Sequence, residues 1–500
     1  MWWMLLLIWS GAVVSAPEYQ LTVVPDIPES PEIVLPDLSG YTETAIRREL
    51  NSWSSKQGVI SEERFVGRVE ARKFFSDGRI VEWAKRQGQF PRIVMIRGGR
   101  VTLDQLAKSL PNSIIRQDGQ HYLARLPIAI GPDAALVVDT GQSLRLSDDR
   151  GSFLINAGHF YLLNGELLGW SEKNGRVAKY SGDKHTIRPF YTAWSNSRTY
   201  MYGSLVAHLG SANSKAYGIT LSSYTEADEM FAPEGVDRSK PPQGWLIANR
   251  FEDIFYGFYC YEASDVVILR NEYADNIYYG IDPHDRSKRL IIAENRVWGS
   301  KIRHGIIISR EVDDSFIFRN ISFNNKLSGI MLDRLSNNNI VAQNVSYGNG
   351  SDGIVLYESH NNTLWANQVY QNKHHGIRFR NSRDIRMLDN LVVDNGRYGI
   401  YGHLRDLSND GRDLKLDPYE QRISADVQGG LLSKNHSGAI FVDQPEYFRM
   451  QDLVFQGPKQ KASNPSLNGA LAQYQPQIMQ ALSKPGVQVS LSSFAAQGGH

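Results

Sequence analysis

YGIDPHDRS at Tyr279–Ser287 and HGIIISREV at His304–Val312 are two passes of one pattern, with their glycines Gly280 and Gly305 set 25 residues apart. The same Gly, usually followed by Ile, stands at Gly257, Gly329, Gly353, Gly376 and Gly399, so the steps run 23, 25, 24, 24, 23 and 23. An Asn keeps the same beat at Asn249, Asn271, Asn295, Asn320, Asn344, Asn367 and Asn390. A fixed period of this size marks a solenoid, whose units stack on their neighbours because none can bury its apolar face alone. Units this short, and this rich in Asn, Gly and β-branched residues, exclude paired helices. The expected fold is all-β, a right-handed parallel β-helix. Three short strands form each coil, Gly makes the tight bend and the Asn side chains form an internal ladder.

Strand alternation sorts each coil into inside and outside. One and three places past the Gly stand mostly apolar residues, among them Ile281, Ile306, Ile308, Ile330 and Leu332, which point inward. Two and four places past it the chain faces out. The fourth file reads Tyr261, His284, Ser309, Asp333, Tyr357, Arg380 and His403. Successive rungs about 4.8 Å apart turn such a file into a long shallow groove suited to a linear polysaccharide. On one rung that file passes through Asp282-Pro283-His284-Asp285, and the chemistry is expected there.

Composition is ordinary, with 41% hydrophobic and 21% charged residues and a net charge of +1, so global charge selects no partner. Locally, Arg378, Arg380, Arg383, Arg386, Arg397 and Arg405 form a basic stretch read as a track for a polyanion, against scattered solvated charge. No nucleic-acid motif accompanies it. Met1–Ala16 reads as a secretory signal peptide, too short to span a membrane, with Ala12 as an alternative cleavage point, and an unbroken run of 18 apolar residues is absent elsewhere. The single cysteine, Cys260, excludes an intramolecular disulfide. Residues 17–125 form an α/β N-terminal extension and cap, Pro-rich up to Pro36 and there disordered or wrapped on the surface. The β-helix occupies 126–456, with insertions at Thr225–Gln243 and Leu404–Glu420, and 457–500 forms a C-terminal cap or tail.

The strings YGIDPHDRS and HGIIISREV closely resemble the periplasmic mannuronan C5-epimerases of bacterial alginate biosynthesis. WLIANRFEDIFYGFYCY at Trp245–Tyr261, NKLSGIMLDR at Asn325–Arg334 and YGHLRDL at Tyr401–Leu407 extend that likeness. The resemblance implies inversion at C5 of mannuronate within the polymer, a periplasmic location and other alginate-export proteins as partners. By the same analogy His284 is the base. Arg310, one coil further on, is a candidate to grip the uronate carboxylate bidentately and to stabilise the dianion formed when C5 loses its proton. Asp282 or Asp285 orients the imidazole or contacts Arg310. Water, Tyr261 or Tyr357 returns the proton. Tyr259, Tyr261, Asp333, Tyr357, Arg378 and Arg380 are the expected substrate contacts. A metal at Asp282 and His284 would find only two ligands on one face. No cofactor is expected, and without calcium-binding nonapeptides no calcium requirement. A β-eliminating lyase, or a non-catalytic polyuronate-binding β-helix in export, would use the same groove.

Overall fold

The computed structural model describes residues 18–25, 32–53, 56–64, 83, 85–213, 215–223, 239–456 and 466–494. The signal-peptide reading at Met1–Ala16 and most of the Thr225–Gln243 insertion lie outside them. Among the described residues three sheets of fifteen strands run along the solenoid, and almost every strand pairs in parallel with the equivalent strand one coil away. The sheet that follows each repeat Gly, here the site sheet, aligns Phe258, Ile281 and Ile306 and then Ile330, Ile354, Ile377 and Ile400 in one register. These residues, with Cys260, Ile308, Leu332, Leu356 and Phe379, belong to one continuous buried core, as alternation requires.

The Asn ladder is intact. Asn320 Nδ2 donates to Asn344 Oδ1 at 3.0 Å, and Asn344 Nδ2 to Asn367 Oδ1 at 3.0 Å and to the Ile317 carbonyl at 2.8 Å. A second ladder links Asn325, Asn349, Asn372, Asn395 and Asn435. It corrects the reason for the repeat Gly. None of these glycines has positive φ. Instead the backbone passes so close to the second ladder that a Cβ on Gly305 would lie 2.6 Å from Asn325 Nδ2. Asn344→Ala would strand the Asn320 backbone N–H and remove the side-chain bond to the Ile317 carbonyl in the core, while the Asn367 oxygen keeps the Asn344 backbone N–H. We expect it to cost about 3 kcal/mol or more, read as a lowered thermal midpoint.

The ladders begin earlier than the expected boundary at residue 126. Arg92–Arg97 and Gly99–Thr102 already pair in parallel with Ile128–Ile130 and Ala134–Val138, because their Ile, Val and Gly residues supply strands as regular as the later coils. Helix Leu103–Ser109, with its Thr102–Gln105 capping box, buries Leu103 and Leu106 in the core, and helix Gln475–Leu482 buries Ile478 there. The described residues of the N-terminal extension up to Pro36 and just beyond wrap on the surface. Strand Tyr19–Val24 pairs antiparallel with Gln488–Ser493, which itself pairs with Tyr447–Gln451 on the last coils. Leu35, Leu38, Tyr41 and then helix Glu43–Asn51, through Ile46 and Leu50, pack on the outer face of one sheet. Tyr41 meets Trp245 edge to face at 5.0 Å.

Candidate active site

The irregular rung changes the ladder before it changes the chemistry. Pro283 has no N–H to donate, and pairing with the next coil is in register only at its ends, Ile281 with Ile306 and His284 with Ser309. One place beyond the fourth file the chain turns. Glu262, Asp285, Arg310, Arg334, Glu358 and Asn381 occupy this fifth position on successive coils, all in the left-handed region, with φ of 49, 35, 63, 54, 47 and 48°. None is Gly, so each coil carries backbone strain of about 1 kcal/mol at the groove edge. That turn keeps a second, charged file beside the first.

His284 stands where the two files meet. Its Nδ1 is held by Asp285 Oδ2, and the other Asp285 oxygen is 3.2 Å from Arg310 Nη1. Asp285 therefore does both things expected of one of the two aspartates. Asp282 does neither. It is 2% exposed and its Oδ1 has no partner, so burial pushes its carboxyl up to about 7, with His284 opposing. For His284 burial favours the neutral ring. The hydrogen bond and charge of Asp285 and the charge of Asp282 outweigh that, against Arg310, and the pKa sits above its usual value. Asp285 is lowered overall, since His284 and Arg310 overcome its burial.

Around this centre the expected contacts divide. Tyr259 is buried as a wall, its ring 5.6 Å from the imidazole of His284. Tyr261 receives a hydrogen bond from Arg286 at 2.9 Å. Burial raises Asp333 to about 6, with Arg334 opposing. Arg378 is part-exposed, 5.3 Å from the Tyr357 ring and bonded to His403 Nε2 at 3.0 Å. Arg380, expected to face out of the groove, is largely covered by its neighbours. It is 8% exposed, lies 3.7 Å over Tyr357 and binds buried Glu358 at 2.8 Å. The basic track is largely neutralised as well, with Arg378 on Asp352, Arg383 on Glu420 and Arg405 on Asp410. Those acids lie on neighbouring coils or in the insertion, out of view when charge is counted along the chain.

The Leu404–Glu420 insertion is the part that sequence reasoning did not place. It folds back onto the fifth-position file at the groove edge, anchored by buried Leu407 and by Arg412 Nη1 on Glu358 at 2.8 Å. Its Asp417 reaches Arg310 Nε at 3.2 Å and Arg334 Nη1 at 3.5 Å. The available signal was the departure of the inserted chain from the end of the site-sheet strand Tyr398–His403. The apolar stretch of the groove floor is Ile307, Met331 and Val355.

Residues 243–412 match the family model described as periplasmic copper-binding protein (NosD). Among the described residues no three His, Cys, Asp or Glu side chains gather where they could hold a metal ion. The mannuronan C5-epimerase AlgG of Azotobacter vinelandii is 46% identical over 453 residues, spanning 90% of this chain and 84% of that protein. A mannuronan C5-epimerase of Pseudomonas aeruginosa is 46% identical over 454 residues, spanning 90% and 81%. The crystal structure of a periplasmic alginate epimerase AlgG superposes with a TM-score of 0.80 at 42% identity, covering 86% of this chain and 100% of that one.

Proposed function

This chain belongs to the mannuronan C5-epimerase family and epimerises mannuronate within alginate in the periplasm, and we propose that His284, Asp285 and Arg310 carry the reaction. The observation that supports this most is the chain of contacts from imidazole through Asp285 to the Arg310 guanidinium at one groove position. Asp285 fixes Nδ1, which turns Nε2 toward substrate as the proton acceptor. His284 takes the C5 hydrogen as a proton, and the electron pair left at C5 spreads into the adjoining carboxylate. Arg310 holds that carboxylate and stabilises the dianion, and a proton added to the opposite face of C5 completes the inversion. Asp282, its carboxyl pushed up by burial, adds less than a full second charge beside the dianion. Tyr259, Tyr261, Asp333, Tyr357 and Arg378 form the walls along which the polymer lies, and other export proteins are the partners this reading implies.

The pH profile tests the base. A base acts neutral, so kcat/KM should climb with pH across a pKa above the ordinary imidazole value of 6.5. That limb belongs to the His284–Asp282 pair jointly. Asp285→Asn removes the group that raises His284 and leaves burial dominant. The limb should therefore move to lower pH, while kcat falls on the order of 10²-fold as the tautomer is released. A limb that stays in place in this variant would remove His284 from the role.

A further inference from the structure

Arg310 is flanked by two carboxylates, and only one is accounted for by the reaction. Asp285 serves His284. Asp417 comes from a different part of the chain, on an insertion stapled down through Arg412 and Glu358, and one of its oxygens meets Arg310 while the other meets Arg334. Its side chain is largely covered, whereas Arg310 and Arg334 remain partly open to the groove. A guanidinium already matched by two carboxylates is a weak stabiliser for a third, and a uronate polymer brings a carboxylate on every residue. Asp417 therefore has to leave before Arg310 can act at full strength.

We propose that Asp417 is a built-in surrogate for the substrate carboxylate, and that the uronate which displaces it is gripped by Arg310 and Arg334 together. Arg334 then becomes a carboxylate-binding residue of the reacting subsite. The geometry supports one carboxylate bridging two arginines because Asp417 already does so from a single side chain. Both arginines sit on the charged fifth file, one coil apart, so a single planar anion can reach both. Displacement needs only a short segment to move, since Arg412 and Leu407 hold the rest of the insertion. Arg412 Nε also binds the Asp417 carbonyl at 2.8 Å, which places the hinge at this residue and leaves its side chain as the moving part.

The proposal rests on Arg310 as the carboxylate ligand, and its test separates the two ideas by measuring binding without turnover. In a His284→Ala background, polymannuronate binding is followed calorimetrically with and without Asp417→Asn, and with Asp417→Ala as a second removal of the charge. Both should bind about three- to tenfold tighter than His284→Ala alone, because no internal carboxylate competes. Adding Arg334→Gln should weaken binding and shrink the gain from Asp417→Asn. Unchanged or weaker binding in both Asp417 variants would overturn the surrogate, and an undiminished gain without Arg334 would confine the subsite to Arg310. Loss of binding in Arg310→Gln, with an Asp417 effect absent, would keep the active-site reading and reject this one. Binding unaffected by Arg310→Gln would reject the active-site reading itself.

Discussion

His284→Ala should stop exchange of the C5 hydrogen with deuterated solvent and lower epimerisation of polymannuronate by about 10²- to 10⁴-fold. The ring lies on the groove face, away from the buried core, so its removal opens little interior space. Circular dichroism and polymer binding should therefore match the parent. The Asp285 carboxylate keeps its ion pair with Arg310 when the imidazole is gone, which holds the neighbouring rung in place. Proton NMR of the polymer reads the result directly as guluronate signals. A His284→Ala protein that still epimerises at a substantial rate, or is inactive because it has unfolded, would show that the irregular rung is structural.

Arg310→Lys should be nearly as damaging, with a loss on the order of 10²- to 10³-fold in kcat. An ammonium keeps the charge but places it at a single point. Arg310 uses Nη1 and Nε in two directions at once, on Asp285 and on Asp417, and the same fork must close on a carboxylate in the transition state. The loss should fall on kcat more than on KM, since the need for that fork grows as the dianion forms. A Lys variant with kcat near the parent would mean that charge alone suffices and that the bidentate grip plays no part.

The solenoid was legible because Gly and Asn keep one period, and a stacked fold converts equal sequence spacing into spatial neighbourhood. That is also why His284 and Arg310 could be put side by side from 26 positions of separation. The reason for the Gly was misread, since close approach to a second Asn ladder leaves no mark in any one coil. Glu358 and Asp352 were separated from Arg380 and Arg378 in sequence, so their neutralising effect was invisible until coils were stacked. Asp417 could not be foreseen at all. An insertion has no repeat phase, and its contact with Arg310 spans 107 residues of chain.

The pairing of Tyr19–Val24 with Gln488–Ser493 makes the order of export matter. A chain delivered N-terminus first presents the earlier strand long before its partner, so this seam closes only after residues 488–493 have followed. Until then the growing end of the solenoid is an unpaired edge, a template for aggregation or for proteolysis. A chain cut short by its final dozen described residues would lose strand Gln488–Ser493 and with it both antiparallel pairings of that seam, however sound its active-site coils.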